Sequence, residues 1–334
     1  MPIEANLWGT PKSSGSFSNL FKMRMQRAVA YRKMPFEVSM TGSGKTFHSS
    51  LPFSGVIEQK WPVEGSYKPR GIYLSCASSD ETELSAQSID FVVTDPPFFD
   101  NVHYSELADF FLAWQSLKPH GFIPDSVTTR HPKEVQDASE DRFTQKLTQV
   151  FAECNRILKQ TGLLVFTYHH SRTAGWIALG KAVIDAGFSI VNAHPIKAEL
   201  SLATPKAQAA EPIQLDIVFV CKKRTVDDRA QQEPATAFRQ AFNRSHAKLD
   251  RLVACGLKLS DNDRKIALLG QFFAQLGPIA SSAVVQTYLT AIENQIDQAV
   301  RLLKSQQELQ ATSATTAANG NDARPAEQLA FSFD

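Results

Sequence analysis

The amino-acid sequence predicts an α/β domain followed by a helical appendage. Apolar runs typical of buried strands alternate with amphipathic helical stretches between residues 70 and 224, whereas residues 225–304 carry helical patterns without strand signals. Such alternation is typical of an α/β sheet with helices between its strands, here with a hairpin-like pair of strands at the end. We therefore expect an N-terminal helix and irregular segment over residues 1–69, the α/β domain over 70–224, the appendage over 225–304 and a disordered tail over 305–334.

Composition sets the outer bounds on function. The chain has 334 residues, of which 43% are hydrophobic, and a net charge of +1, so any contact with nucleic acid must come from a local basic patch. The four cysteines form no Cys-x-x-Cys pair, which argues against a zinc ribbon and indicates buried thiols in a reducing compartment. The sequence has no run of about 18 apolar residues and no signal-like N-terminus. We expect a cytoplasmic protein with no membrane partner and no metal site.

The N-terminal segment contains two patterns, each with two interpretations. A basic helical stretch from Ser18 to Lys33 is either a helix that lies along a phosphate backbone or an amphipathic helix with a solvated basic face. The stretch 42–46 resembles a P-loop around Lys45, but Ser39 stands where the full pattern needs glycine. A flexible loop is therefore favoured over a nucleotide triphosphate site.

The domain is organised around a strand that ends in an acid, two prolines and an aromatic residue. The apolar run 91–93 leads directly into Thr94-Asp95-Pro96-Pro97-Phe98. Because proline lacks a backbone N–H and has a fixed φ, the strand must stop there and hold the carboxylate at its carboxyl end. Ligands of open α/β sheets bind at that end.

These residue types suit a flat ring that carries an exocyclic amino group. The Asp95 carboxylate and a proline carbonyl are hydrogen-bond acceptors, and Phe98 offers a stacking face. Two acceptors can take both protons of the amine and direct its lone pair at an electrophile. The sequence therefore predicts amine activation by positioning, carried by Asp95, Pro96, Pro97 and Phe98.

The elements after this stretch follow from apolar periodicity and from glycine positions. Helices are predicted at 101–115, 143–159 (capped by Gly162) and 176–186, and strands at 163–167, 188–192 and 213–221. Three further helices are predicted at about 234–255, 261–275 and 281–304. His169 and His170 close one strand and point to opposite sides, so one of them can face the Asp95 site.

The phrase TDPPFFDNVHYSELADFF, residues 94–111, resembles a known family. Its Asp-Pro-Pro-Phe part is similar to motif IV of the amino-methyltransferases of DNA. Its continuation, Asp-Asn-X-X-Tyr-Ser-X-Leu-X-Asp-Phe-Phe, resembles that of the large adenine-specific methylases that carry a DUF1156 region. The similarity covers roughly residues 70–223.

The resemblance implies a fold, a reaction and a cofactor. The fold is the Rossmann-like sheet of S-adenosylmethionine-dependent methyltransferases, and the reaction is methylation of the exocyclic amino group of adenine in DNA, in restriction-modification or phage defence. The residues that would border S-adenosyl-L-methionine are Ala77, Ser78, Asp80 and Thr94. A plain turn is the alternative interpretation of residues 77–80.

The resemblance also implies a surface for the DNA substrate. Asn101 and Tyr104 directly follow the proline pair and are expected to line the site. Arg130 and Lys133 lie in the polar segment 116–141, which hosts target recognition in amino-methyltransferases. A mobile surface loop is the alternative interpretation of that segment.

A Gly-rich turn that would hold the cofactor is absent from the sequence. In the family that the chain resembles, this turn lies well upstream of motif IV, so the chain resembles a C-terminal half and the predicted sheet is incomplete. Three explanations stay open. Residues 1–70 hold a degenerate cofactor site, a second subunit supplies the Gly-rich motif, or the chain is a truncated relic.

Three functions are consistent with these patterns. The first is an adenine-specific DNA methyltransferase or its catalytic half, which binds the flipped base at Asp95. The second is a non-catalytic DNA-binding or scaffold subunit of a modification system, for which Asp95 would be dispensable. The third is a P-loop nucleotidase that depends on Lys45.

Overall fold

The computed structural model describes residues 21–33, 37–40, 46–49, 55–58, 60–62, 66–99, 103–117, 126–198, 213–225, 231–279 and 281–318. The chain divides into two compact units, residues 1–76 and 77–334, and each is described by itself. Most of the P-loop-like stretch, including Lys45, lies outside the described residues.

The first unit contains short elements. A π-helical turn at Phe21–Gln26 runs into helix α1 (Arg27–Lys33), and residues 24–33 are exposed to solvent. Two two-stranded sheets follow: β1 (Glu37–Met40) pairs antiparallel with β2 (Thr46–Ser49), and β3 (Val56–Ile57) pairs parallel with β4 (Gly71–Ile72). Strand β4, at the start of the predicted α/β domain, is therefore only two residues long.

The second unit is a mixed α/β structure. Its strands are β5 (Ile89–Thr94), β6 (Leu158–Tyr168), β7 (Phe188–Lys197) and β8 (Leu215–Lys223). Its helices are α2 (Tyr104–Ser116), α3 (Glu140–Ile157), α4 (Thr173–Asp185), α5 (Pro234–Ala254), α6 (Asp261–Leu276) and α7 (Val284–Ala318). These bounds confirm the sequence-based order of strands and helices.

The four strands of this unit form one mixed sheet in the order β5-β6-β8-β7. β5 and β6 are parallel, and β8 runs antiparallel between β6 and β7. Within the described residues the sheet is open, and β5 is one of its edges. The strand that leads into Asp95 therefore has a hydrogen-bonded neighbour on one side only.

The two faces of the sheet differ in burial. On one face, Phe166 and Phe219 are fully buried and stack on each other at 5.3 Å between ring centroids. Phe151 of α3 and Trp176 of α4 pack onto these two rings. The opposite face is half-buried or exposed, and on β5 it carries Phe91, 64% exposed, and Val93, 77% exposed.

The C-terminal helices are bonded to the sheet. Asp263 in the first turn of α6 forms a capping box with Ser260 and also accepts hydrogen bonds from the backbone N–H groups of Gln214 and Leu215. Phe273 of α6 stacks on Trp176. The predicted appendage thus shares the hydrophobic core of the α/β domain.

Three sequence-based expectations differ from the structure. Strand β6 begins at Leu158, directly after α3, so Gly162 lies inside the strand instead of capping the helix. Helix α7 continues to Ala318, well into the segment that was expected to be disordered from residue 305. All four cysteines are free, but only Cys154 and Cys221 are buried, and the other two are exposed.

None of the described helices combines the length and the apolar character that a bilayer-spanning segment needs.

Candidate functional site

The Asp95 carboxylate lies at the carboxyl end of β5, beside strand β6. The parallel register pairs Thr94 with Phe166, so the next residues of the two strands, Asp95 and Thr167, are adjacent. The Thr167 hydroxyl donates a hydrogen bond to Oδ1 of Asp95. Because Asp95 is exposed and a carboxylate has about four acceptor positions, it keeps capacity to accept hydrogen bonds from a ligand.

The chain turns sharply after Asp95. Pro96 is buried, and Phe99 is buried with a φ of 58°, in the left-handed region that non-glycine residues rarely adopt. The Phe99 ring lies edge-on to Phe143 at 5.2 Å and to His170 at 5.7 Å, and the Arg172 guanidinium lies 5.7 Å from its centroid. Packing therefore holds a backbone conformation that costs about 1–3 kcal/mol, a kind of strain that clusters at functional sites.

A histidine–aspartate pair lies next to Phe98. The antiparallel register pairs Tyr168 with Ile217, so His169 follows opposite Asp216, and their Nδ1 and Oδ1 atoms are 2.5 Å apart. Both side chains are only 18% exposed. The His169 ring lies 4.6 Å from the Phe98 ring. An ionised carboxylate accepts from Nδ1–H, which leaves Nε2 as the acceptor of the neutral ring.

His170 has a different environment. It is 2% exposed, its Nδ1 accepts the backbone N–H of Arg172 at 3.0 Å, and burial lowers its pKa. A Cβ on Gly175 would lie 2.4 Å from its Cγ atom, so this glycine makes room for the ring. His170 is therefore a neutral core residue, and His169 is the histidine beside Phe98.

The sequence indicated that one of the two histidines can face the site, but it did not indicate Asp216. The partner of His169 is 47 residues away along the chain, on a strand of different direction. The sequence feature that could have indicated Asp216 is the presence of an acidic residue inside the otherwise apolar strand LDIVFVC.

The structure describes three of the four residues predicted to contact substrate. Tyr104 begins α2 and is exposed, and Asn101 lies outside the described residues. Arg130 forms an ion pair with Glu106, so a carboxylate of the same chain already compensates its charge.

Lys133 is also paired, and its partner is the predicted cofactor residue Asp80, with Nζ and Oδ1 3.4 Å apart. The Ser78 hydroxyl and, more weakly, Lys133 lower the pKa of Asp80. The ion pair therefore joins a residue predicted to contact the substrate to a residue predicted to contact the cofactor.

The segment that carries Arg130 is fixed to α2. Asp109 accepts hydrogen bonds from the Thr128 hydroxyl at 2.7 Å and from the Thr129 backbone N–H at 2.5 Å. These bonds lower the pKa of the Asp109 carboxyl. A cavity of about 390 Å³ lies between this segment and the first turn of α2, and its lining includes His103, Glu106 and Arg130. The part of the 116–141 segment described by the structure is thus anchored to a helix.

Three of the four predicted cofactor residues, Ala77, Ser78 and Asp80, precede a segment that is hydrogen-bonded to α3 at the other end of the sheet. Glu153 of α3 accepts from the Thr82 backbone and hydroxyl at 2.9 and 2.6 Å, and Arg156 donates to the Leu84 carbonyl at 2.7 Å. These helix residues lead into the amino end of β6, whereas Asp95 lies at the carboxyl end of β5. Of the four predicted residues, Ala77 is exposed, Ser78 and Asp80 are half-buried, and only Thr94 adjoins Asp95.

Two sequence comparisons with known proteins found no match. No protein-family model matches the chain, and no curated protein has a detectably similar sequence. In the part of the chain that the structure describes, no three metal-ligating side chains cluster as an ion would require. The arrangement that remains is an exposed carboxylate fixed by a hydroxyl, an adjacent aromatic ring and a carboxylate-bound imidazole.

Proposed function

We propose that the chain is the catalytic half of an S-adenosylmethionine-dependent DNA methyltransferase that acts on the exocyclic amino group of adenine. The observation that supports this proposal most is the Thr167–Asp95 hydrogen bond, which orients a carboxylate at the carboxyl end of β5, next to Phe98. A fixed acceptor beside an aromatic ring is the arrangement that an aromatic amine needs in order to be oriented and activated.

In this proposal each residue of the loop has a role. Oδ2 of Asp95 and a proline carbonyl accept hydrogen bonds from the two N–H groups of the amine, and Phe98 stacks on the base. The buried Pro96 and the strained, tightly packed Phe99 keep these groups in place before the base arrives. When bound, the cofactor supplies an electrophilic methyl group.

The His169–Asp216 pair accounts for the proton that the amine must lose. Methyl transfer would form an N–C bond as the C–S bond of the sulfonium breaks, with the bonding electrons staying on sulfur, and would leave one surplus proton on the nitrogen for a base to receive. Nε2 of His169 is available in the neutral ring because Asp216 holds Nδ1, and the ring adjoins Phe98. We assign His169 as the proton acceptor and Asp216 as its positioning residue.

The described residues do not form a complete cofactor site. Doubly wound sheets bind nucleotides in the crevice between two neighbouring strands where the strand order reverses. Here β5 is the edge strand of the described sheet, and a crevice beside it is therefore bounded by a strand on one side only. The sequence has no Gly-rich turn, and Asp80 is paired with Lys133. A second subunit therefore supplies the cofactor residues in this proposal.

The exposed residues of β5 favour this assembly. Parallel strands of α/β sheets are normally buried on both faces and paired on both edges, whereas Phe91 and Val93 are exposed on an unpaired edge. We propose that a strand of the second subunit pairs with β5 and that its covering helix packs on these two side chains.

A calorimetric titration tests the assignment of the cofactor. S-adenosylmethionine is titrated into the purified chain and into the chain co-expressed with the products of the genes that flank its own. We expect binding only in the second sample. Absence of binding in both samples would support a second candidate, a scaffold subunit without its own chemistry, which the missing Gly-rich turn also favours.

A further inference from the structure

The outer edge of β7 borders a cavity of about 430 Å³ that is distinct from the Asp95 site. Strand β7, the end of β8, helix α5 and the end of α6 contribute to its lining. Cavities that bind small ligands are commonly about 300–1,000 Å³, so this one has the size for a compound such as a mononucleotide.

The charge of this cavity is positive. Lys222 of β8 and Arg244 of α5 line it, and no Asp or Glu is present among its described lining residues. Other basic side chains of this unit, such as Arg130, Arg142 and Arg156, form ion pairs with acids. Two cations that share a cavity without a carboxylate favour an anionic occupant.

Two buried polar atoms at the cavity have no hydrogen-bond partner among the residues that the structure describes. They are Oγ of Ser189, a residue that is 8% exposed, and Oε1 of Gln232. A buried hydroxyl without a partner has lost its hydrogen bonds to water without replacing them, which destabilises the folded chain. A ligand that both accepts and donates hydrogen bonds would satisfy the two atoms and remove that destabilisation.

The positive charge continues along α5. Arg244, Lys248 and Arg251 are spaced by four and three residues, which places them on one helix face. Lys248 donates to two neutral acceptors, Oδ1 of Asn192 and the Ala193 carbonyl. Burial, followed by repulsion from the two arginines, lowers the pKa of Lys248 to about 8. Both groups that accept hydrogen bonds from Lys248 are therefore uncharged.

We propose that this cavity binds a phosphate ester. Lys222 and Arg244 contact the phosphate oxygens, the Ser189 hydroxyl donates a third hydrogen bond, and the amide of Gln232 contacts the rest of the ligand. The phosphate belongs either to a nucleotide or to the backbone of DNA that continues along Arg244, Lys248 and Arg251. This site does not depend on the proposed methyl transfer.

Titrations with inorganic phosphate, AMP and a short DNA duplex test the proposal. Arg244→Gln should weaken AMP binding about tenfold, because one charge-assisted contact is lost. Arg251→Gln is the matched control, since it removes the same charge from the same helix face outside the cavity, and it should change AMP binding less than about twofold. Lys222→Gln should resemble Arg244→Gln.

Ser189→Ala separates a binding role from a structural one. If the hydroxyl serves a ligand, the variant keeps or gains thermal stability without ligand and loses AMP affinity. The proposal is overturned if the wild-type chain binds neither phosphate, AMP nor duplex, or if Arg244→Gln and Arg251→Gln weaken AMP binding equally. Competition between duplex and AMP would identify DNA as the source of the phosphate, and its absence would identify a nucleotide.

Discussion

The Thr167 hydroxyl donates a hydrogen bond to the Asp95 carboxylate and thereby links β6 to the loop after β5. This bond is what distinguishes the loop from an ordinary proline-terminated strand. It fixes one carboxylate oxygen and leaves the other for a ligand, so it can be tested separately from the carboxylate itself.

Replacement of Thr167 by valine removes this bond while keeping the side-chain shape. We expect the chain to remain folded, because Thr167 is only half-buried, and methyl transfer by the assembled enzyme to fall about tenfold. The measurement is transfer of labelled methyl groups to DNA. Thr148→Val is the matched control, since its hydroxyl bonds only within α3 to the Thr144 carbonyl, and its activity should be unchanged.

The His169–Asp216 pair predicts that the two side chains act through the same step. His169→Asn removes the proposed proton acceptor, and Asp216→Asn removes the carboxylate that holds its Nδ1, so each variant should lower the rate of methyl transfer. The double variant should be no slower than His169→Asn alone, because Asp216 acts only through His169. An unchanged rate in His169→Asn would exclude the assigned base.

The exposed residues on β5 predict a surface for the second subunit. Val93→Lys should leave the thermal stability of the isolated chain unchanged, because Val93 is 77% exposed, and should abolish partner-dependent binding of S-adenosylmethionine. Val127→Lys is the control, since Val127 is 98% exposed and lies outside the sheet. Equal loss of binding in both variants would contradict docking on β5.

The lowered pKa of Glu153 predicts that the free energy of unfolding decreases at acid pH. Hydrogen bonds from Arg156 and Thr82 lower its pKa from 4.5 to about 2. Because the folded-state pKa is depressed, the stabilisation is complete above pH 4.5 and is lost as the pH falls from 4.5 to about 2. Urea unfolding across this range should show a loss of about 2–3 kcal/mol that Glu153→Gln does not show. A parallel decline in both proteins would assign the acid sensitivity to other groups.

The close packing around Gly175 predicts that a larger residue at this position destabilises the fold. A methyl group there would lie 2.4 Å from Cγ of His170 and 2.9 Å from the Tyr168 hydroxyl. We expect Gly175→Ala to destabilise the fold by about 1–3 kcal/mol, since neither buried ring has space to move. Thermal unfolding measures this, and an unchanged midpoint would show that the rings do adjust.

The sequence located β5 to β8 because each contains a continuous apolar run, although β7 extends to Lys197, five residues beyond its predicted end. It placed the start of β6 at residue 163, five residues late, because Lys159, Gln160 and Thr161 are polar and Gly162 resembles a helix cap. In the structure, α3 passes into β6 without a loop, and Gly162 is tightly packed beside the Asp90 carbonyl. Tertiary packing overrode the local signal there.

The candidate site was predicted in part. The end of the strand at Asp95 and its prolines could be predicted from local rules, because proline interrupts the hydrogen bonding of a strand. Thr167 and Asp216 could not be assigned, since their partners depend on the pairing of strands that lie far apart in sequence. The charges of Arg130 and Lys133 are compensated by Glu106 and Asp80, which a one-dimensional pattern does not reveal.

Methyl transfer in this proposal depends on Asp95, which orients the adenine amino group. We would measure incorporation of labelled methyl groups into DNA by the chain co-expressed with its genomic neighbours and then identify the modified base. We predict N6-methyladenine with the wild-type chain and none with Asp95→Ala at equal protein and cofactor binding. Equal incorporation by both, or none by the wild-type assembly, would exclude this role of Asp95.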